Sequence, residues 1–191
     1  MAWSLEEAMK RTGVLKEGHF LLSSGCHSDR YLQCAQLLMH PADAEKTGQA
    51  LAGKFQSVPV DLVAGPALGG VIIAHEVART LNVPCVFAER KEGMMQLRRG
   101  FQVEPGQKVL VVEDVVTTGG SVNEVIRLLK DRNADVVAVG SIVDRTGGKN
   151  PFRQPYQALK RIEIPSFEPE DCPLCKKGIP VTKPGSRGNQ N

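Results

Sequence analysis

The sequence predicts an α/β protein with a doubly wound, mostly parallel sheet flanked by helices. Short apolar, β-branched runs near 60–64, 85–88, 109–112 and 136–143 alternate with stretches of helical periodicity. Such alternation builds a parallel sheet through right-handed crossovers. Three of the runs end in polar or small-residue loops: 65–70 (GPALGG), 113–121 (EDVVTTGGS) and 144–148 (DRTGG). Sites in this class lie at the carboxyl ends of the strands, which is where these loops fall.

Residues 4–11 open with Ser4 and carry Glu7 three residues on, a capping-box pattern that predicts a short helix. Residues 18–33 have apolar patches broken by Ser-Ser-Gly and read as two short strands around a turn. Residues 41–55 start with Pro41 and put Ala44, Thr47, Leu51 and Phe55 on one helical face. A buried strand at 60–64 leads through the first glycine loop to an apolar helix at 71–81. After the strand at 85–88, residues 89–106 show no steady period and read as irregular. The strand at 109–112 is the centre of the sheet. Val122, Val125, Ile126 and Leu129 mark an amphipathic helix over 123–132. The last strand is 136–143. From about residue 165 the chain is rich in Pro, Gly and charge and reads as wrapping the surface, with 184–191 mobile.

A chain of 191 residues suits one full α/β domain with a real core. Apolar content of 41% and charged content of 24% are ordinary for a soluble globular protein. The net charge of +3 and pI of 8.6 are too mild to argue for nucleic acid; they fit local binding of an anionic substrate. No apolar run has membrane-spanning length, and Glu6 and Glu7 interrupt any secretory signal. Five scattered cysteines read as reduced thiols in a cytoplasmic protein.

The chemistry centres on 109–121. A buried strand delivers Glu113 and Asp114, and then Val115, Val116, Thr117, Thr118, Gly119, Gly120 and Ser121 lead into a helix. Loop and helix N–H groups, with the helix dipole, make an anion cradle. Carboxylates would repel a phosphate unless they hold something else. Ribose hydroxyls donate to carboxylates, and Mg²⁺ prefers oxygen ligands. The ligand so described is a phosphorylated sugar, with a metal. The rival phosphate motifs, G-x-x-x-x-G-K-[ST] and a G-x-G-x-x-G after a strand, are absent from the sequence.

This run closely resembles the phosphoribosyl-pyrophosphate (PRPP) loop of type I phosphoribosyltransferases. Other stretches resemble the orotate phosphoribosyltransferases of that family. Phe20, Leu22, Ser24, Gly25 and Ser28 match the F-x-L-x-S-G-x-x-S pattern of their N-terminal hood, and Arg90-Lys91-Glu92 matches the start of their mobile catalytic loop. The resemblance implies one phosphoribosyltransferase domain over 1–165, with a hood at about 1–40, and a C-terminal extension over 166–191. It implies transfer of phosphoribose from PRPP to orotate, giving orotidine 5′-phosphate and pyrophosphate in pyrimidine synthesis. A phosphoribosyltransferase for another base, or a PRPP- or nucleotide-sensing regulator, are the alternatives.

Roles follow from the same resemblance. Glu113 and Asp114 hold the ribose hydroxyls, and residues 115–121 hold the 5′-phosphate. Leu68 and Gly69 lie in the pyrophosphate loop, where many relatives have an aromatic residue and a Lys. Arg90, Lys91, Arg98 and Arg99 supply the cations that stabilise the leaving pyrophosphate. Thr117, Tyr31 and Arg145 serve orotate: Tyr31 by stacking, Arg145 by a guanidinium fork on the carboxylate. Mg²⁺ is the implied cofactor, held mainly by PRPP. The implied assembly is a homodimer with shared sites. Met94, Gln96 and Ser23 stand where many relatives carry Lys, His and Lys, so no proton donor is identified. Of the remaining residues, His27 reads as a surface histidine. Cys172 and Cys175 form a lone C-x-x-C, with the other cysteines and the histidines remote in sequence: half a Cys₄ zinc site that a second subunit completes, or a pair of surface thiols.

Overall fold

The computed structural model describes residues 3–22 and 24–184. Ser23 and residues 185–191, which include most of the stretch expected to be mobile, lie outside them. In chain order the elements are α1 (Leu5–Arg11), β1 (Leu15–Leu21), β2 (His27–Leu32), α2 (Ala35–Leu38), α3 (Pro41–Ala52), β3 (Leu62–Pro66), α4 (Gly69–Leu81), β4 (Cys85–Lys91), β5 (Met94–Leu97), β6 (Lys108–Val116), α5 (Gly120–Lys130), β7 (Asp135–Asp144), β8 (Tyr156–Arg161) and α6 (Pro173–Lys176). Short 3₁₀ turns occupy Gly53–Phe55 and Pro169–Asp171.

The chain divides into two compact units, residues 38–162 and residues 1–37 with 163–191. The larger holds a six-stranded sheet of order β5-β4-β3-β6-β7-β8. All neighbours are parallel except β4 and β5. The doubly wound, mostly parallel sheet is therefore present, with β3 and β6 at its centre. Side chains of β6 alternate between its faces. Val109 and Val111 pack with Val122, Val125, Ile126 and Leu129 of α5, so the helical stripe read from the sequence is the one that is buried. On the other face, Gly140 of β7 leaves room for Phe55 and Leu51. Ala44, Thr47, Leu51 and Phe55 are all buried, as the periodicity of 41–55 requires.

The elements differ from expectation in three places. Residues 89–106 are not irregular throughout: β4 continues to Lys91, and β5 returns antiparallel with Arg90 opposite Met95 and Lys91 opposite Met94. Glu92 and Gly93, with φ of 53° and 79°, form the tight turn between them. The apolar residues Met95 and Leu97 alternate on β5 and pack against the core, a two-residue period too short to stand out amid the charges. Secondly, β8 follows the 144–148 loop, although its sequence YQALKR lacks an apolar run. It is an edge strand and is only partly buried. Thirdly, β6 does not stop at Val112 but carries Glu113 and Asp114 within it.

The smaller unit contains the β1–β2 hairpin and α1, whose Ser4 side chain accepts from the Glu7 N–H as the capping pattern predicts. The stretch from 163 onward, expected as a surface extension, belongs to this unit. Phe167 exchanges two backbone hydrogen bonds with His27, and Thr182 bridges to Leu21 and His19. Cys172 is fully buried.

Helices α3 and α4 pack closely at Gly48. A Cβ there would lie 2.5 Å from Glu76 Cβ and 2.8 Å from its backbone carbon. Alanine is the better helix former by about 1 kcal/mol, so propensity alone favours Gly48→Ala. The backbone contact reverses that sign: overpacking costs about 1–3 kcal/mol. Thermal unfolding of Gly48→Ala should therefore occur below the wild-type temperature; a higher melting temperature would mean that the helices separate without cost.

Candidate active site

Three loops gather at the carboxyl ends of β3, β6 and β7. The first follows β3, whose five residues are all buried. Its Ala67–Leu68 peptide is cis, Leu68 is 78% exposed, and α4 begins at Gly69. The second follows β6 and turns into α5 through Gly119 at φ 74°. That left-handed turn lies against the ring of Phe152, 2.7 Å from where a Cβ would sit, so glycine meets both demands. Neither α4 nor α5 has a side-chain N-cap. The Gly69 and Gly70 N–H groups of α4, and the first-turn N–H groups of α5, thus meet no capping side chain, whereas Ser4 caps α1; the Val71 N–H donates to Leu68 O. Thr117, Thr118 and Gly120 are exposed around the second cradle, and Ser121 is half-buried.

Glu113 and Asp114 occupy the angle between these loops. Glu113 is buried, and its Oε1 accepts from the Asp114 N–H at 3.0 Å. Asp114 Oδ1 accepts from the Val115 N–H at 2.8 Å. A Cβ on Gly69 would meet Asp114 Oδ1 at 2.6 Å, and one on Gly70 would meet Glu113 Oε1 at 3.1 Å. The glycine loop and the acid pair therefore form one corner of the molecule. Burial raises the Glu113 carboxyl well above its ordinary value, and the neighbouring Asp114 charge adds to that rise. Burial raises Asp114 too, against the opposing hydrogen bonds it accepts. A buried acid and a half-buried one in contact hold negative charge poorly without donors or a cation. Their donor set, hard oxygen only, suits Mg²⁺.

The expected catalytic cations lie at the end of β4 (Arg90, Lys91) and just after β5 (Arg98, Arg99), and carboxylates hold them. Arg90 donates to Gly93 O at 2.7 Å and pairs with Glu124 of α5 at 2.7 Å. Arg98 and Arg99 converge on Glu89 at 3.5 and 3.2 Å, with Arg99 also over the Phe87 ring. Lys91 lies 3.8 Å from Glu92. Exposed pairs of this kind contribute only about 0–1 kcal/mol, so exchanging a carboxylate for a phosphate costs little. The partnership of Glu124 with Arg90 is not legible in the sequence, because the two are 34 residues apart.

At the third loop, the Arg145 N–H donates to Val116 O at 2.8 Å and ties the ends of β6 and β7 together. The preceding Asp144 accepts from the Thr146 N–H and pairs with Arg161 at 3.1 Å. Burial alone would raise Asp144, but these donors outweigh it and hold the carboxyl below its ordinary value. Tyr31, the other residue expected at orotate, is in the small unit, 5.8 Å from Phe20 between ring centres. His27, read as a surface histidine, is instead buried beside His19, Cys172 and Cys175. Its neighbours come from sequence positions too distant for any spacing motif to register.

The phosphoribosyl transferase domain family model matches residues 33–172. An orotate phosphoribosyltransferase of Thermotoga maritima is 56% identical over 184 residues, covering 96% of this chain and 98% of its own. One from Caldicellulosiruptor bescii is 55% identical, with 95% of each chain covered. Among solved structures, an orotate phosphoribosyltransferase from Aeropyrum pernix superposes with a TM-score of 0.70 at 24% identity, over 83% of this chain and 94% of that one. An adenine phosphoribosyltransferase from Rhodothermus marinus reaches 0.66 at 20% identity, over 82% and 99%, so the fold itself does not select the base. With its acid pair set between two uncapped helix starts, and with full-length relatives above half identity, this chain belongs to the orotate phosphoribosyltransferases of the phosphoribosyltransferase family.

Proposed function

We propose that the protein transfers 5-phosphoribose from PRPP to orotate, giving orotidine 5′-phosphate and pyrophosphate in pyrimidine synthesis. The observation that carries this reading is the contact of Gly69 with Asp114, which joins a glycine-loop helix start to a buried acid pair. PRPP offers both features their complements: pyrophosphate for the N–H groups, ribose hydroxyls for the carboxylates. The amides and hydroxyls of residues 117–121 bind the 5′-phosphate, and the α4 start at Gly69 and Gly70 binds the pyrophosphate. Mg²⁺, when bound with PRPP, neutralises charge on the leaving group; Glu113 and Asp114 are the residues that would hold it, through the ribose hydroxyls.

The bond from the sugar to pyrophosphate breaks ahead of attack by the base nitrogen. Glu113 and Asp114 lie where positive charge grows on the ribose, and the hairpin cations Arg90, Lys91, Arg98 and Arg99 serve the departing pyrophosphate. The arginines stabilise without giving up a proton. Arg145 takes the orotate carboxylate, Thr117 lies near the base, and Tyr31 stacks on it. A homodimer in which the hairpin serves the neighbouring site is part of the proposal, as the family resemblance implies.

Given PRPP and Mg²⁺, the purified protein should consume orotate and leave adenine, hypoxanthine and uracil unchanged. Turnover of a purine with none of orotate would overturn the assignment.

Glu113→Gln should separate stability from function. With Glu113 raised, the native state holds a proton that the unfolded chain has lost. Stability therefore falls as pH rises from the ordinary carboxylate range through the folded value, and levels off above it. Glutamine keeps the Asp114 N–H acceptor and removes the titration. At neutral pH without substrate the variant should melt at or above the wild-type temperature, with a flatter pH dependence. Its kcat/KM should fall roughly tenfold to a hundredfold, the worth of one charge-assisted hydrogen bond. A variant that melts lower yet turns over normally would contradict both halves.

Arg145→Lys should damage orotate use far more than PRPP binding, because lysine keeps charge but loses the fork. The expected loss in orotate kcat/KM is roughly tenfold to a hundredfold. An unchanged orotate kcat/KM with a lowered melting temperature would assign Arg145 a structural part instead.

A further inference from the structure

The small unit contains a cluster that the transferase chemistry does not use. His19 of β1, His27 of β2, Cys172 at the N-cap of α6 and Cys175 within α6 place one ligand atom each within 4.8 Å of all the others. His19, His27 and Cys172 are buried; Cys175 is exposed. We propose that these residues form a closed, structural zinc site that fastens the C-terminal segment to the N-terminal hairpin.

The distances support it. A tetrahedral zinc with its usual bond lengths separates two nitrogens by about 3.3 Å, and nitrogen from sulfur by about 3.5 Å. Cys172 Sγ is 3.5 Å from His19 Nε2, Cys175 Sγ is 3.8 Å from His19 Nε2, and Cys175 Sγ is 3.3 Å from His27 Nδ1. The two ring nitrogens, at 2.9 Å, need to part by only a few tenths of an ångström.

The ring orientations point the same way. His19 Nδ1 lies 2.7 Å from Ile179 O, so it carries a hydrogen and donates to that carbonyl. The tautomer this sets leaves the Nε2 lone pair aimed into the cluster, the usual arrangement for a metal-ligating histidine. The backbones are prearranged as well: His27 exchanges two hydrogen bonds with Phe167, and Thr182 donates to His19 O, so partners lie on both sides of the C-x-x-C. Two nitrogens and two thiolates select zinc over magnesium or calcium, and the thiolates cancel its charge in a buried place. Four protein ligands leave no open position for catalysis. The unit also needs such a link, because units of this size rarely hold together on their cores alone. Its two chain segments are separated by residues 38–162. The second pair of ligands thus comes from the same chain, and no second subunit is required.

The test uses the full chain, purified under reducing conditions and measured for metal by mass spectrometry. About one zinc per chain is expected, or uptake of one after refolding with zinc. Replacement by cobalt should give the visible bands of a tetrahedral ion and near-ultraviolet thiolate charge transfer. Competition with a coloured chelator should show zinc affinity falling at least the roughly 10–100-fold known for lesser, supporting groups in Cys175→Ser and in His27→Ala. Cys26→Ser, outside the set, should bind as the wild type does. If a replacement prevents folding, the cobalt spectrum of the wild type still decides. A wild-type chain that takes up neither zinc nor cobalt, or that holds zinc unchanged in both ligand variants, overturns the site and leaves a hydrogen-bonded cluster or a Cys172–Cys175 disulfide.

Discussion

The architecture of the larger unit depends on placing two carboxylates where burial opposes their charge. Glu113 and Asp114 lie within the last four residues of β6, and the glycine loop after β3 closes over them within a Cβ's reach. A side chain at position 69 or 70 would push the loops apart. Missing side chains therefore do as much here as the acids themselves. The corner is costly for folding, since burial opposes the charge that both carboxyls carry in water.

Around that corner the positive charges divide into fixed and exchangeable kinds. The helix starts of α4 and α5 are fixed dipoles set by the backbone. The guanidiniums of the β4–β5 hairpin are side chains in exposed pairs with Glu89 and Glu124. The Arg90–Glu124 pair joins the hairpin to α5.

The small unit solves a different problem. Its chain arrives in two pieces, and its apolar core, with Ala8, Met9, Val14, Phe20, Leu32, Cys34 and Leu37 among the buried residues, is modest. Backbone bridges at Phe167 and Thr182 join the pieces, and the histidine–cysteine cluster lies between those bridges in sequence.

What the sequence determined by itself was local. Apolar runs and 3.6-residue stripes located β3, β4, β6, β7, α3 and α5, because the periods that bury a face are written in consecutive residues. The order strand, acids, threonines, glycines and helix located the β6–α5 turn, because one continuous segment supplies all its parts. What tertiary structure decided was which distant residues meet. Edge strand β8 carries no strong apolar signal, because half its surface faces solvent. The hairpin at 85–97 was hidden by charges needed for another purpose. Gly69 against Asp114, Arg90 against Glu124, and His27 against Cys175 each join positions whose separation no motif spans. Such meetings are set by sheet order and by where loops return, and folding alone makes them neighbours.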